Sequence, residues 1–181
     1  MSANYRNPNF LLPNELNQSI NPQLSGLGDR HSLYSTEFNG SSTSIDLGST
    51  LYQVGSGDVS ISAWIKPEYQ SGNNDIFGIG VASGGSRIRL QRRGNKFGAY
   101  INSTGGSGSA LTGSSTITDG IWYHLMLIKS GTTFTLYVNG VSETSNTYSG
   151  SFDEQAGVIG AYFGGNSNWI KGKLDEIAIW N

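Results

Sequence analysis

The 181 residues are enough for one domain that buries roughly 70% of the surface its unfolded chain exposes, and too few for a second folded domain of ordinary size. With 13% charged residues and a formal net charge of −2, no global basic field exists to gather phosphate backbones, so nucleic acid is excluded as an expected partner. The chain has no cysteine, which removes disulfide frameworks, thiolate-held zinc and thiol nucleophiles together.

Residues 1–31 differ from all that follows. They carry three of the four prolines (Pro8, Pro13, Pro22), many asparagines, and the apolar residues Tyr5, Phe10, Leu11, Leu12 and Leu16 without period. The expectation is an extended arm that packs on its own domain or on a neighbour, followed by one domain over residues 32–181. The first residues lack the basic and apolar regions of a secretory signal, so an extracellular role requires another export route. No window approaches membrane-spanning length, and no membrane insertion is expected.

Beyond the arm, short alternating segments are separated by Gly, Ser, Asn and Asp, the pattern of an antiparallel all-β domain. Residues 33–38 and 44–47 flank Asn39-Gly40, a hairpin signal. Residues 59–66 set Ile61, Ala63 and Ile65 on one face and Ser60, Ser62, Trp64 and Lys66 on the other, which makes one face core. Residues 76–80, 87–91 and 97–102 continue the series, and the Gly/Ser-rich stretch 103–115 has the composition of a mobile loop. Residues 121–129, 133–138 and 141–144 form two successive hairpins, turned at Ser130-Gly131 and Asn139-Gly140. Residues 157–162 and 170–180 bring the total to ten or eleven strands, with Trp122 and Trp180 expected in the core.

Six blocks in order carry a resemblance: Phe38-Asn39-Gly40, Ile45-Asp46-Leu47, Ile61-Ser62-Ala63-Trp64-Ile65-Lys66-Pro67, Gly120-Ile121-Trp122-Tyr123-His124, Leu136-Tyr137-Val138-Asn139-Gly140 and Gly172-Lys173-Leu174-Asp175-Glu176-Ile177. Their succession resembles the laminin-G-like domains of the concanavalin A-like lectin and glucanase superfamily. The resemblance implies a jelly-roll β-sandwich of two curved antiparallel sheets, and not a function. Many members hold a structural calcium where the first and last strands meet. By resemblance, Asp175 with Asn39 falls in that neighbourhood, although calcium needs more oxygen ligands than these side chains supply. The competing reading has Asp175 and Glu176 accepting from turn amides.

The superfamily's glycosidases space their carboxylates as Glu-x-Asp-x-Glu, a pattern missing here. In Asp153-Glu154 and Asp175-Glu176 the adjacent residues would face opposite sides of a strand and could not flank one glycosidic bond, so no enzyme is expected. Leu174, Ile177 and Ile179 cannot share one face of a regular strand, which predicts a bulge at Asp175-Glu176.

Arg87 and Arg89 project from one face of their strand, and with Arg92, Arg93 and Lys96 they place five of 11 basic residues within ten positions. This is either a patch for an acidic glycan or a solvated sheet face. Trp169, in the polar loop Gly164-Gly165-Asn166-Ser167-Asn168, is with Asn166 and Asn168 the best carbohydrate contact, weighed against a tryptophan that closes one end of the core.

The favoured reading is a non-catalytic recognition or structural module, in style like a bacteriophage virion fibre or decoration protein. Its arm would meet virion subunits or other copies of itself, and its sandwich a glycan or protein surface. The alternative is a lectin-like adhesion domain of a larger cell-surface protein.

Overall fold

The computed structural model describes residues 35–49, 51, 54–82, 85–104, 108–153 and 156–180, and the arm expected over residues 1–31 lies outside them. Twelve strands appear among the described residues: β1 Thr36–Asn39, β2 Ile45–Asp46, β3 Val59–Pro67, β4 Asn73–Gly80, β5 Arg87–Arg93, β6 Lys96–Asn102, β7 Ser109–Thr112, β8 Tyr123–Ser130, β9 Thr133–Val138, β10 Val141–Thr147, β11 Gly157–Ile159 and β12 Lys171–Trp180. They form two six-stranded antiparallel sheets. The first runs β1-β12-β3-β8-β9-β10 and the second β2-β11-β4-β5-β6-β7.

Strict alternation in sequence becomes a shared core. β3 turns Val59, Ile61, Ala63 and Ile65 inward, β8 adds Leu125 and Leu127, and β9 adds Phe134, Leu136 and Val138. From the second sheet Ile76, Phe77 and Ile79 of β4, Ile88 and Leu90 of β5, and Phe97, Ala99 and Ile101 of β6 face them. Each large side chain of this set contributes about 1.5–3 kcal/mol relative to exposure. Phe134 and Phe152 meet edge-on at 5.6 Å.

The β8–β9 and β9–β10 hairpins form as expected. Asn139 (φ 51°) and Gly140 (φ 79°) both take the left-handed conformation that a tight hairpin turn needs. The hairpin expected around Asn39-Gly40 does not form: β1 pairs with β12 in the first sheet, while β2 pairs with β11 in the second. The reason is local. Asn39 Oδ1 accepts from the amides of Ser41, Ser42 and Thr43 at 2.9–3.1 Å, and this side-chain cap carries the chain from one sheet to the other.

The stretch 103–115, expected as a loop, contains β7, which pairs with β6 through Leu111 opposite Ala99. Trp122 precedes β8 and is half-buried rather than in the core. Trp180 pairs with Ser60, whose neighbours Val59 and Ile61 face inward, so its ring lies on the outer face and is 49% exposed. The bulge expected at Asp175-Glu176 is present: register shifts between Asp175 and Ala178, and Glu176 sits at φ 44°.

Candidate binding face of the second sheet

Because Ile88 and Leu90 of β5 enter the core, Arg87, Arg89, Gln91 and Arg93 must face outward. Pairing with β4 and β6 sets them in rows: Asp75, Gln91 and Gly98; Gly78, Arg89 and Tyr100; Gly80, Arg87 and Asn102. An outward face is ordinarily wet, yet Asp75 and Gln91 are 0% exposed and Arg89 only 9%. The segment 160–170 covers them. Its sequence Gly164-Gly165-Asn166-Ser167-Asn168 allows a tight fold, with Gly164, Gly165 and Asn168 all at positive φ. Gly78 has no side chain, so the Phe163 ring packs onto its backbone; a Cβ there would lie 3.1 Å from Phe163 Cζ.

At the centre lies Asp75. A register shift between Asp75 and Phe77 lets Ile76 and Phe77 both enter the core while Asp75 turns outward. Its carboxylate accepts from Arg89 Nη1 (3.0 Å), Gln91 Nε2 (2.5 Å) and Asn168 Nδ2 (3.5 Å), and its backbone amide donates to the Asn168 carbonyl (2.7 Å). Burial pushes the Asp75 carboxyl above the usual carboxylate range, against the opposing pull of Arg89, Gln91 and Asn168.

Arg89 is held between two aromatic rings. Its guanidinium carbon lies 4.7 Å from the Tyr100 centroid and 4.9 Å from that of Tyr162. The Arg87 guanidinium carbon lies 5.6 Å from the Tyr100 centroid, and its Nη1 donates to the carbonyl of Ala82 (2.6 Å) and to the Tyr162 hydroxyl (3.4 Å). Tyr162 in turn donates to the Ala82 carbonyl (2.5 Å). Arg93 Nη1 reaches Gln91 Oε1 at 2.6 Å. Burial, with Arg89 nearby, lowers the pKa of Arg93.

The result is a face on which half-buried tyrosines and cationic edges are fixed before any ligand arrives. Such a face can stack on a sugar ring and donate hydrogen bonds to its oxygens, with little ordering cost on binding.

Of the residues singled out in the sequence, Arg87, Arg89, Asn168 and Trp169 are brought together here. Trp169 bridges to Asp75 as a parallel neighbour, and its half-buried ring keeps Nε1 buried without a protein partner. Asn166 is exposed in the same loop, and its Oδ1 accepts from the Ser167 hydroxyl at 3.4 Å rather than joining the Asp75 cluster. Arg92 points the other way, buried at the end of the core, where it binds the carbonyls of Gly94 and Glu68 and Asp119 Oδ1.

Asn39 and Asp175 are not brought together. Asn39 pairs with Lys171, four positions from Asp175 along β12; its Oδ1 caps the 41–43 turn and Asp175 Oδ1 accepts from the Glu176 amide. Among the described residues no group of three or more His, Asp or Glu side chains is placed to hold a metal ion.

Asp75, Gln91 and Tyr100 were not singled out in the sequence. The signal for Asp75 was present, because Ile76-Phe77 breaks the alternation of β4 as Asp175-Glu176 breaks that of β12.

Fold and face together define a lectin-like β-sandwich with a polar, aromatic outer face. A family model matches residues 39–181, and the chain belongs to the laminin-G-like family of the concanavalin A-like lectin/glucanases superfamily. Similar solved structures include domain 4 of an extracellular family 43 arabinanase from Geobacillus stearothermophilus in complex with arabinotriose (TM-score 0.65, 23% identity, 81% of this chain and 70% of that one). The laminin α1 chain domains LG4-5 from mouse match with TM-score 0.63 and 24% identity over 80% of this chain and 40% of that one. The sialidase module CBM40 of Ruminococcus gnavus bound to α2,3 sialyllactose matches with TM-score 0.65 and 14% identity over 81% and 89%. No curated protein sequence matches the chain.

Proposed function

We propose that the chain is a non-catalytic carbohydrate-binding module that takes its glycan on the outer face of the second sheet. The observation that carries this reading is the Tyr100–Arg89–Tyr162 stack, locked from beneath by Asp75 and flanked by Arg87, Asn102 and Trp169. Aromatic surface beside fixed hydrogen-bond donors is what a sugar, with its apolar ring face and hydroxyl rim, requires. Two of the structural relatives were seen with oligosaccharides, arabinotriose and sialyllactose. That supports the lectin-like reading over the virion reading, for which neither the fold nor the face offers an argument.

Binding without turnover fits the carboxylates. Asp75 spends both oxygens on Arg89, Gln91 and Asn168 in a buried position, so it is not free to act as acid or nucleophile. Asp175 and Glu176 belong to the first sheet. Burial and the charge of Asp175 raise the pKa of Glu176, while a hydrogen bond with Trp64 opposes them. No pair of carboxylates thus flanks a common space on the tyrosine-lined face among the described residues.

A glycan array probed with the intact chain and with Tyr162→Ala tests this. The proposal expects a defined set of bound glycans that the variant loses; retention of the whole set by a folded Tyr162→Ala protein would contradict it.

A further inference from the structure

The outer face of the second sheet is covered by residues 160–170, and the outer face of the first is built on a different plan. Because Val59, Ile61, Ala63 and Ile65 of β3 point inward, Ser60, Ser62 and Trp64 point outward. Register across β12, β3, β8 and β9 places Ala178, Ser62, Met126 and Tyr137 in one row. The next row holds Trp180, Ser60, Ile128 and Thr135. On the other side of Ser62, Trp64 stands beside His124 with ring centroids 5.0 Å apart, and a hydrogen bond with Glu176 helps to fix its ring.

An outward sheet face normally carries polar and charged residues at such positions. These two rows carry no charge. β9 has no charged residue, and the one lysine of β8, Lys129, turns inward and donates to the carbonyls of Ser56 (2.8 Å) and Gly57 (2.5 Å). Burial pushes His124 below the usual histidine range, so it adds no charge at neutral pH. Charge on β3 and β12 begins level with Trp64, at Asp175 and Glu176, and continues only away from the two rows, at Lys66, Lys171 and Lys173.

What remains is an apolar surface with relief. Ser60, Ser62 and Ala178 form a low floor beside the taller Trp64, Met126 and Ile128; Ser62 is 4% exposed although it faces outward, and Trp180 is 49% exposed. Six strands spaced about 4.8 Å, the central ones eight to ten residues long at about 3.3 Å each, give a footprint of roughly 700 Å². A standard interface takes about 800 Å² from each partner. A sugar needs varied hydrogen-bonding groups beside its stacking ring, and the two rows offer only hydroxyls. A charged partner finds no counter-charge on them. A second copy of the same face is itself apolar and brings no charge against charge. A two-fold axis passing between Trp64 and Ser62 exchanges the two, so the ring of each copy enters over the floor of the other, as an isologous contact requires.

We infer that the chain pairs with a second copy of itself through the outer face of the first sheet, with Trp64 of each protomer seated over the partner's Ser62. The dimer turns its two second sheets outward in opposite directions, and on the carbohydrate-binding reading it bridges two glycan-bearing surfaces rather than gripping one. The pairing itself does not depend on that reading.

Sedimentation velocity of the full chain from about 1 to about 200 μM tests the pairing, since association is set by protomer concentration. The inference expects twice the chain mass at the upper end. On dilution, tryptophan emission should shift to the red and acrylamide quenching should rise as Trp64 and Trp180 return to water. Trp180→Glu should weaken association about tenfold or more, and Ser62→Arg, which fills the floor with a charge, about a hundredfold. Thr112→Arg, on β7 of the second sheet, should change nothing. Should Ser62→Arg fail to fold, Trp180→Glu at the end of β12 reads the same loss. A single-chain mass at every concentration overturns the inference, and tryptophans then shielded from acrylamide would assign the cover to the same chain. A dimer that survives both Ser62→Arg and Trp180→Glu also overturns it, by placing the contact elsewhere. Failure of every glycan to bind an intact dimer overturns the carbohydrate-binding reading and leaves the pairing standing.

Discussion

Asp75→Ala removes one partner of a buried ion pair and leaves the other in place. The side chains of Asp75 and Arg89 are 0% and 11% exposed, and the carboxylate also receives Gln91 and Asn168. Stripping it leaves a guanidinium of very low exposure without a counter-charge and two further donors without an acceptor. Breaking a buried pair in this way costs about 3–5 kcal/mol. For a domain of this size that is a fall in Tm of about 10 °C or more. Arg89→Met removes the cation instead, and the double variant Asp75→Ala/Arg89→Met should be less destabilised than the sum of the singles by about 1–3 kcal/mol, because neither buried charge is then orphaned. Urea denaturation of the four proteins measures this coupling. A cost below about 1 kcal/mol for Asp75→Ala, or strict additivity in the double variant, would refute the claim that Asp75 locks the face.

Three other substitutions test the scaffold. Gly160→Ala places a Cβ into the Phe38 ring at a backbone φ of 83°, so it should destabilise by about 2–4 kcal/mol in thermal unfolding. Glu176→Gly relieves a left-handed residue at the β12 bulge and should be neutral to stabilising by up to about 1 kcal/mol, read by the same denaturation curves. At Glu143, slight burial raises the pKa, but hydrogen bonds from the hydroxyls and amides of Ser115 and Ser114 outweigh it and bring the value from 4.5 to about 2. Because the folded value is the lower one, this stabilisation is complete above about pH 4.5 and disappears as pH falls towards 2. After screening by solvent it amounts to about 1 kcal/mol, and Glu143→Gln should flatten that part of the acid-unfolding profile.

Period-two alternation in β3, β5 and β9 made the sandwich and its core faces legible in the sequence, and Asn139-Gly140 fixed a hairpin. Asn39-Gly40 misled because the same dipeptide serves two purposes: at 139–140 both residues turn left-handed, whereas at 39–40 the asparagine side chain caps the following amides and the chain changes sheets. β7 was hidden because pairing with β6, rather than propensity, makes Ser109–Thr112 a strand. On the binding face Arg87, Arg89, Asn168 and Trp169 were legible from alternation and loop composition. Asp75 and Tyr100 were not, because what gives them a role is the packing of residues 160–170, 60 or more positions away, onto their strands. The exposure of Trp180 likewise follows from its register against Ser60.

The most direct test of the central claim is where a bound glycan touches the protein. With the tightest ligand from the array, backbone and side-chain NMR shifts should move at Arg87, Arg89, Tyr100, Tyr162 and Trp169 and leave the first sheet unchanged. Shifts confined to the opposite outer face, around Trp64, His124 and Trp180, would contradict the account.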